Sequence, residues 1–164
     1  HQGAENVLKQ EEWLLQNLNT FLKSRNDISV MIFLHPREKK KNIEAVRNYY
    51  RHFLGDHFEL APLEMRSVDG LNLVSVGIAA YSSIVYERLY CGFKMLFAGE
   101  RQDDFPLENS TLSGIFCTSF SELATKLDKA FTQSGEDFIK DYNLEEYHYR
   151  NYQKDRASEK IDKQ

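Results

Sequence analysis

The sequence has few cysteines and no long apolar run. It has two cysteines, Cys91 and Cys117, which stand far apart, and it contains no CxxC pair or Cys/His ligand spacing. We therefore expect no structural zinc site. The apolar contexts RLYCGF and GIFCTS instead predict two reduced, buried thiols. No apolar run approaches the roughly 18 residues that a membrane-spanning helix needs, so we expect no transmembrane segment.

The chain also lacks an excess of positive charge. Its formal net charge is −4 and its pI is about 5.8, which argues against a nucleic-acid partner. The dense basic run at residues 37–41 is interpreted as a solvated helix start that adds local positive potential. With 164 residues, 41% of them hydrophobic, the sequence predicts one globular domain over residues 4–164. Residues 1–3 are interpreted as a cloning remnant, and about ten C-terminal residues are expected to fray.

Three common activities of α/β proteins leave no motif in this chain. A dinucleotide oxidoreductase would carry GxGxxG after its first strand, and a serine hydrolase would carry GxSxG. Neither motif is present. A phosphoacceptor domain would place a cluster of acids at its strand ends, where this sequence has His-Pro and Tyr-Ser-Ser.

Helical and strand patterns alternate along the chain. Apolar spacing near 3.6 residues predicts helices, and short, nearly continuous apolar runs predict buried strands. We expect Gly92 to end one helix and Ser119 or Ser121 to cap the next. A polar loop is expected over 100–114, and a helix with a frayed, charged end from residue 135. The predicted helices are 4–27, 40–54, 83–92 and 119–134, with a helical turn or two within 62–72, and the predicted strands are 28–36, 57–62, 73–83, 94–99 and 115–119. This order predicts a doubly wound α/β domain, a parallel sheet covered by helices on both faces.

Unusual polar groups follow two of the predicted strands. His35 and Pro36 end one strand, while Tyr81, Ser82 and Ser83 end another and begin a helix. Ligands of open α/β sheets bind beyond the carboxyl ends of the strands. Serine hydroxyls and free N–H groups at a helix start suit a phosphate. We therefore predict an anion site formed by these two stretches.

Two acidic residues are weaker candidates for the same site. Glu87 lies four residues after Ser83, one helical turn along the same face, and could accept hydrogen bonds from a ribose. Glu64 lies on the loop after the short strand. Structural interpretations stay open: Ser83 as a plain N-cap, His35 as a surface histidine, and Glu87 as a surface charge beside Arg88.

These residues resemble a known family. The strand MIFLHPRE, followed by VGIAAYSSIVYERLYCGFKMLFAG and GIFCTSFSELATKLDKAF, resembles the C-terminal, Rossmann-like, nucleotide-binding half of GT-B-fold glycosyltransferases. The similarity is strongest to bacterial sialyltransferases and polysialyltransferases of capsule and lipooligosaccharide synthesis, which carry an HP motif and then a Ser-Ser motif. It extends from about residue 10 to residue 131.

The resemblance implies a CMP-sugar donor, an inverting transfer, and no cofactor or metal. His35 would contact the donor phosphate and stabilise the leaving CMP, and Pro36 would shape the cytidine pocket. Ser82 and Ser83 would bind the phosphate, and Glu87 would hold the ribose. The catalytic base and the carbohydrate acceptor site belong to an N-terminal half that this chain lacks, because the acidic loops SVDG and QDDFP do not match the family's acidic motif in position. We therefore expect donor binding but no transfer from this chain alone. The parent protein is expected in the bacterial cytoplasm, peripherally at the inner membrane surface.

Three alternatives stay open. CDP-glycerol-type glycerophosphotransferases of teichoic-acid synthesis share the HP strand and usually read DYSS, whereas Ala80 takes the acidic place before Tyr81–Ser83 here. CMP-dependent Kdo transferases are close neighbours. A non-catalytic α/β interaction module is the alternative from a different class.

Overall fold

The structure, a computed structural model, describes residues 2–99 and 111–151, with side chains from residue 5 onward. Residues 100–110 of the polar loop predicted over 100–114, and the predicted frayed end beyond residue 151, lie outside these residues, while residues 111–114 belong to a 3-10 turn. Within them the elements run in chain order as α1 Gln2–Leu22, β1 Val30–Ile32, α2 Ile43–Leu54, β2 Phe58–Leu60, β3 Val76–Ala79, α3 Ile84–Tyr90, β4 Lys94–Ala98, β5 Phe116–Cys117, α4 Phe120–Thr132 and α5 Gly135–Asp141. Short 3-10 turns cover Ser67–Gly70, Thr111–Ile115 and Glu145–Tyr147.

All strand pairs in the described part of the chain are parallel. β1 pairs with β2, with Val30 opposite Phe58, and β3, β4 and β5 form a second sheet in that order. Helix α2 connects β1 to β2 and helix α3 connects β3 to β4, because a parallel pair needs a long crossover. The expected α/β class is therefore confirmed. The described strands form a two-stranded and a three-stranded sheet.

β4 lies at the centre of the core. Its residues 95–98 are at most 1% exposed, and β3 and β5 flank it. Helix α1 packs its predicted apolar stripe, which includes Leu14, Leu18 and Phe21, into the same core cluster. β1 was predicted to be buried on both faces but is only partly buried, because within the described residues it pairs on one side alone.

The helix ends follow their local signals. Ser119, rather than Ser121, caps α4, and its Oγ accepts the Glu122 N–H at 3.2 Å. Gly92 has a φ of 79° and ends α3 as predicted. Its N–H binds the Leu89 carbonyl at 3.0 Å and the next N–H, from Phe93, binds the Arg88 carbonyl at 2.8 Å. This double closure is a Schellman motif, in which glycine adopts the left-handed conformation without a Cβ penalty.

The two cysteines differ, and one prediction is wrong. Cys117 is fully buried on β5, and burial raises its pKa to about 11, so it is a neutral thiol at physiological pH. Cys91, which was predicted to be buried, is exposed. It sits at the C-cap of α3, one position beyond the helix, while Leu89 provides the buried contact there.

Candidate functional site

The two predicted site segments lie at the carboxyl ends of parallel strands. Residues 33–41, which we call the His35 segment, follow β1, and Tyr81–Ser83 lie between β3 and α3. Because β3 and β4 are parallel, α3 runs antiparallel to them, and its N-terminus lies at the carboxyl edge of its sheet. Each segment therefore occupies the edge at which ligands of α/β proteins bind.

Helix α1 is linked to the carboxyl ends of both sheets, which the sequence did not indicate. A Cβ added to Gly99, directly after β4, would lie 2.1 Å from Oε1 of Gln10. The adjacent Glu11 is linked through Tyr50 to Glu38 in the segment after β1. Gln10 thus lies against the residue that follows β4, and Glu11 reaches the segment after β1 through Tyr50. Gln10 is 5% exposed, and its Oε1 accepts no hydrogen bond from the residues that the structure describes.

His35 is exposed and has a defined tautomer. Its Nδ1 accepts the backbone N–H of Arg37 at 3.2 Å, so in the neutral imidazole the hydrogen is on Nε2. Among the described residues Nε2 has no hydrogen-bond partner, so it is a donor available to a ligand. Pro36 beside it is exposed as well.

Glu38 holds the backbone of the same segment. Its Oε2 accepts the His35 N–H at 2.8 Å, and its Oε1 lies 3.1 Å from the Tyr50 hydroxyl. A carboxylate that returns to an N–H three residues earlier is the second half of a capping box. The spacing His35-x-x-Glu38 was therefore a readable signal that the sequence analysis missed.

The basic run divides into two kinds of residue. The Lys39 ammonium donates to the carbonyl of Met65 at 2.5 Å and so ties the His35 segment to the loop after β2. Arg37, Lys40 and Lys41 are exposed and create positive potential beside His35. Glu64, on the loop that Lys39 contacts, is also exposed.

The two serines, both predicted to bind the phosphate, make different contacts. Ser83 occupies the N-cap position of α3 but has helical backbone angles (φ −68°, ψ −13°), and its side chain caps no N–H. Ser82 Oγ accepts the Ile84 N–H at 3.3 Å instead. The exposed Ser83 hydroxyl is therefore available to a ligand, and the interpretation of Ser83 as a plain cap is wrong. Tyr81 is 58% exposed at the same edge.

Helix α3 is anchored by Arg88. Glu87 was considered as a surface charge beside Arg88, but Arg88 itself is 4% exposed. Its guanidinium donates to the carbonyls of Lys94 and Leu71, each at 3.0 Å, and to a third at 3.5 Å. Burial lowers its pKa to about 10, so it stays charged at neutral pH. A Cβ on Gly77 would lie 2.6 Å from its Nε, so this glycine makes room for the side chain. Glu87 is exposed, one turn after Ser83, as predicted.

A cavity lies at the other end of α3. It has a volume of about 530 Å³, and its lining includes Cys91, Lys140, His148 and Arg150. Burial lowers the pKa of His148, and the nearby Arg150 lowers it further. None of the predicted site residues lines this cavity, because the C-terminus of α3 lies at the amino edge of the sheet, opposite Ser83.

Two other expectations concern metals and membranes. In residues 2–99 and 111–151 no group of three or more His, Cys, Asp or Glu side chains could hold a metal ion. No helix in that part of the chain is long and apolar enough to cross a membrane.

Asp69 of the acidic SVDG loop pairs with Arg66 through two 2.8 Å hydrogen bonds, and the bond from Arg66 lowers the pKa of its carboxyl.

Comparisons of the chain with known proteins give no assignment: no family model, no curated protein and no solved structure matches it.

Proposed function

We propose that the chain is the donor-binding, Rossmann-like C-terminal half of a GT-B glycosyltransferase that uses a CMP-sugar. One observation carries the proposal. His35 Nε2–H and the Ser83 hydroxyl have no acceptor among the described residues, and both side chains follow parallel strands at their carboxyl ends. Both stand in the short motifs that led to the resemblance.

The donor phosphate would be bound by neutral and charged donors together. His35 Nε2–H and Ser83 Oγ–H would donate to the phosphate oxygens, and exposed Arg37 and Lys40 would add attraction for the anion. Helix α3 spans only Ile84–Tyr90, so its dipole contributes less than these groups do. The same donors would stabilise the CMP leaving group, where negative charge develops in the transition state.

The ribose and the cytidine base of the donor would contact exposed residues near the carboxyl ends of the strands. Glu87 would accept hydrogen bonds from the ribose, and Pro36 and Tyr81 would border the cytidine pocket, with Glu64 on the facing loop. Ala80 is 8% exposed and packs in the core cluster. An acidic residue at this position, typical of CDP-glycerol transferases, would be buried here at a cost. This favours the CMP-sugar donor.

The remaining parts of the enzyme are assigned to a second half. The catalytic base and the carbohydrate acceptor site would belong to that half, so this chain alone binds the donor without transferring sugar. The intact protein would work in the cytoplasm, peripherally at the inner membrane surface.

Calorimetric titration of the chain with CMP, CDP, UMP and AMP tests the proposal. We expect the two cytidine nucleotides to bind most tightly, and His35→Ala and Ser83→Ala each to weaken CMP binding about tenfold, the effect of losing one charge-assisted hydrogen bond. Matched controls are His57→Ala and Ser75→Ala, exposed residues just before β2 and β3 at the opposite edge. Equal affinity for all four nucleotides, or no binding at all, would discard the donor site.

A further inference from the structure

Three side chains from three segments meet behind the His35 segment. The Tyr50 hydroxyl of α2 lies 3.0 Å from Glu11 Oε1 of α1 and 3.1 Å from Glu38 Oε1. Glu38 accepts the His35 N–H through its other oxygen. We refer to Glu11, Tyr50 and Glu38 as the carboxyl–tyrosine cluster.

The cluster has too few hydrogens if both carboxyls are ionised. Tyr50 carries a single hydroxyl hydrogen, and an ionised carboxylate only accepts. Two ionised carboxylates would therefore compete for that one hydrogen and would also repel each other. One additional proton resolves both problems, because a protonated carboxyl donates to the Tyr50 oxygen while Tyr50 donates to the other carboxylate.

The environment places this proton on Glu11. Burial raises the pKa of Glu11, and the charges of Glu38 and Glu12 raise it further, against the hydrogen bond from Tyr50 and the charge of Lys41. Glu38 accepts a backbone N–H at 2.8 Å in addition to the Tyr50 contact, so both of its oxygens already have a hydrogen-bond partner. Tyr49, the other titratable group of α2 near these acids, stays neutral because burial raises its pKa.

We propose that Glu38, held through Tyr50 by a protonated Glu11, positions the His35 segment and makes its order depend on pH in the acid range. With the proton present, hydrogen bonds run without interruption from Glu11 to Tyr50, to Glu38 and to the His35 N–H. When Glu11 ionises, Tyr50 serves two carboxylates and Glu38 moves away from one of them, which loosens the segment. The imidazole then presents Nε2 less uniformly to a ligand.

The test is the His35 amide proton, followed by NMR from about pH 4 to 8, the range that contains the ordinary Glu and His values, in the full chain without nucleotide. We expect a transition with its midpoint above the ordinary value for Glu, which disappears in Glu11→Gln and in Tyr50→Phe. The readout is the difference between each variant and the unmodified chain. Glu12→Gln is the matched control, since it removes a neighbouring charge without contacting Tyr50, and it should keep the transition.

The amide titration tests the positioning role of Glu38 without relying on the proposed donor site. Only a second measurement, of CMP binding, rests on that proposed function. A transition that persists in Glu11→Gln, or no transition in the unmodified chain, overturns the proposal. In the second measurement, Tyr50→Phe should weaken CMP binding about fivefold at a pH below the transition, where the cluster is complete, and Glu12→Gln should leave it unchanged. If the unmodified chain binds no CMP, the donor site fails while the amide titration still decides the role of Glu38.

Discussion

The His35 segment and the Ser82–Ser83 turn both follow a parallel strand, but they are held in different ways. The His35 segment is fixed by its own polar contacts, from Glu38 to the His35 N–H and from Lys39 to the Met65 carbonyl. Within the described residues, the one side-chain hydrogen bond of the Ser82–Ser83 turn is weak, at 3.3 Å to the Ile84 N–H, and the turn depends on helix α3 behind it. One half of the candidate site is therefore fixed by side chains of the segment itself, and the other depends on the helix that Arg88 anchors.

Among the substitutions predicted here, removal of Arg88 should lower the free energy of unfolding most. Arg88→Met leaves two carbonyls without their 3.0 Å donors in a buried setting. We expect a loss of about 3 kcal/mol in the free energy of unfolding, since each buried unsatisfied group costs about 1–3 kcal/mol. Urea unfolding measures it.

The control is Arg47→Met on α2, where the ion pair with Glu44 is long, at 3.8 Å, and partly exposed. It should change stability by less than about 0.5 kcal/mol. An equal loss in both variants would contradict the anchoring role of Arg88.

The pH dependence of the free energy of unfolding should show the contribution of Glu11, which is linked through Tyr50 to Glu38 in the His35 segment. The folded pKa of Glu11 is raised, mainly by burial, so the folded state binds more protons than the unfolded chain above the ordinary Glu value. Glu11 therefore destabilises the fold progressively as pH rises through that window up to its folded pKa. Glu11→Gln should remove this slope and raise stability at neutral pH by about 1 kcal/mol. Urea unfolding at a series of pH values measures it, and an unchanged slope would contradict the assignment.

The smallest predicted effect separates the two serines. Ser82→Ala should cost about 0.5–1 kcal/mol, as loss of a weak cap does, because its Oγ accepts the Ile84 N–H. Ser83→Ala should leave the melting temperature nearly unchanged, because its hydroxyl caps nothing. A larger loss in Ser83→Ala than in Ser82→Ala would show that the hydroxyl roles are reversed.

Local patterns predicted most of the elements, and they failed where tertiary contacts decide. The helix stripe of α1, the Gly92 stop and the Ser119 cap depend on near neighbours and were readable from the sequence. The burial of Arg88 was not readable from the sequence. The carbonyls that it binds belong to Leu71, before β3, and to Lys94, at the start of β4. Charged residues are rarely buried, so an exposed position was the natural expectation.

The candidate site shows the same division. The positions of His35 and Ser83 at strand ends followed from strand order alone. The link through Gln10 and Glu11 of α1 depends on how a distant helix packs across both sheet edges, and no short motif encodes that packing. The exposure of Cys91 was missed for a similar reason, since its apolar sequence neighbours belong to the buried side of α3.

The central claim is that the two differently held segments grip one ligand, and an NMR titration of the chain with CMP tests it most directly. We predict that the amide signals of His35 and of Ser83–Ile84 shift along one binding curve, and that Ser83→Ala weakens the affinity measured at His35 by the same factor as at Ile84. Shifts confined to one segment, or an affinity at His35 that ignores the Ser83 substitution, would contradict the account.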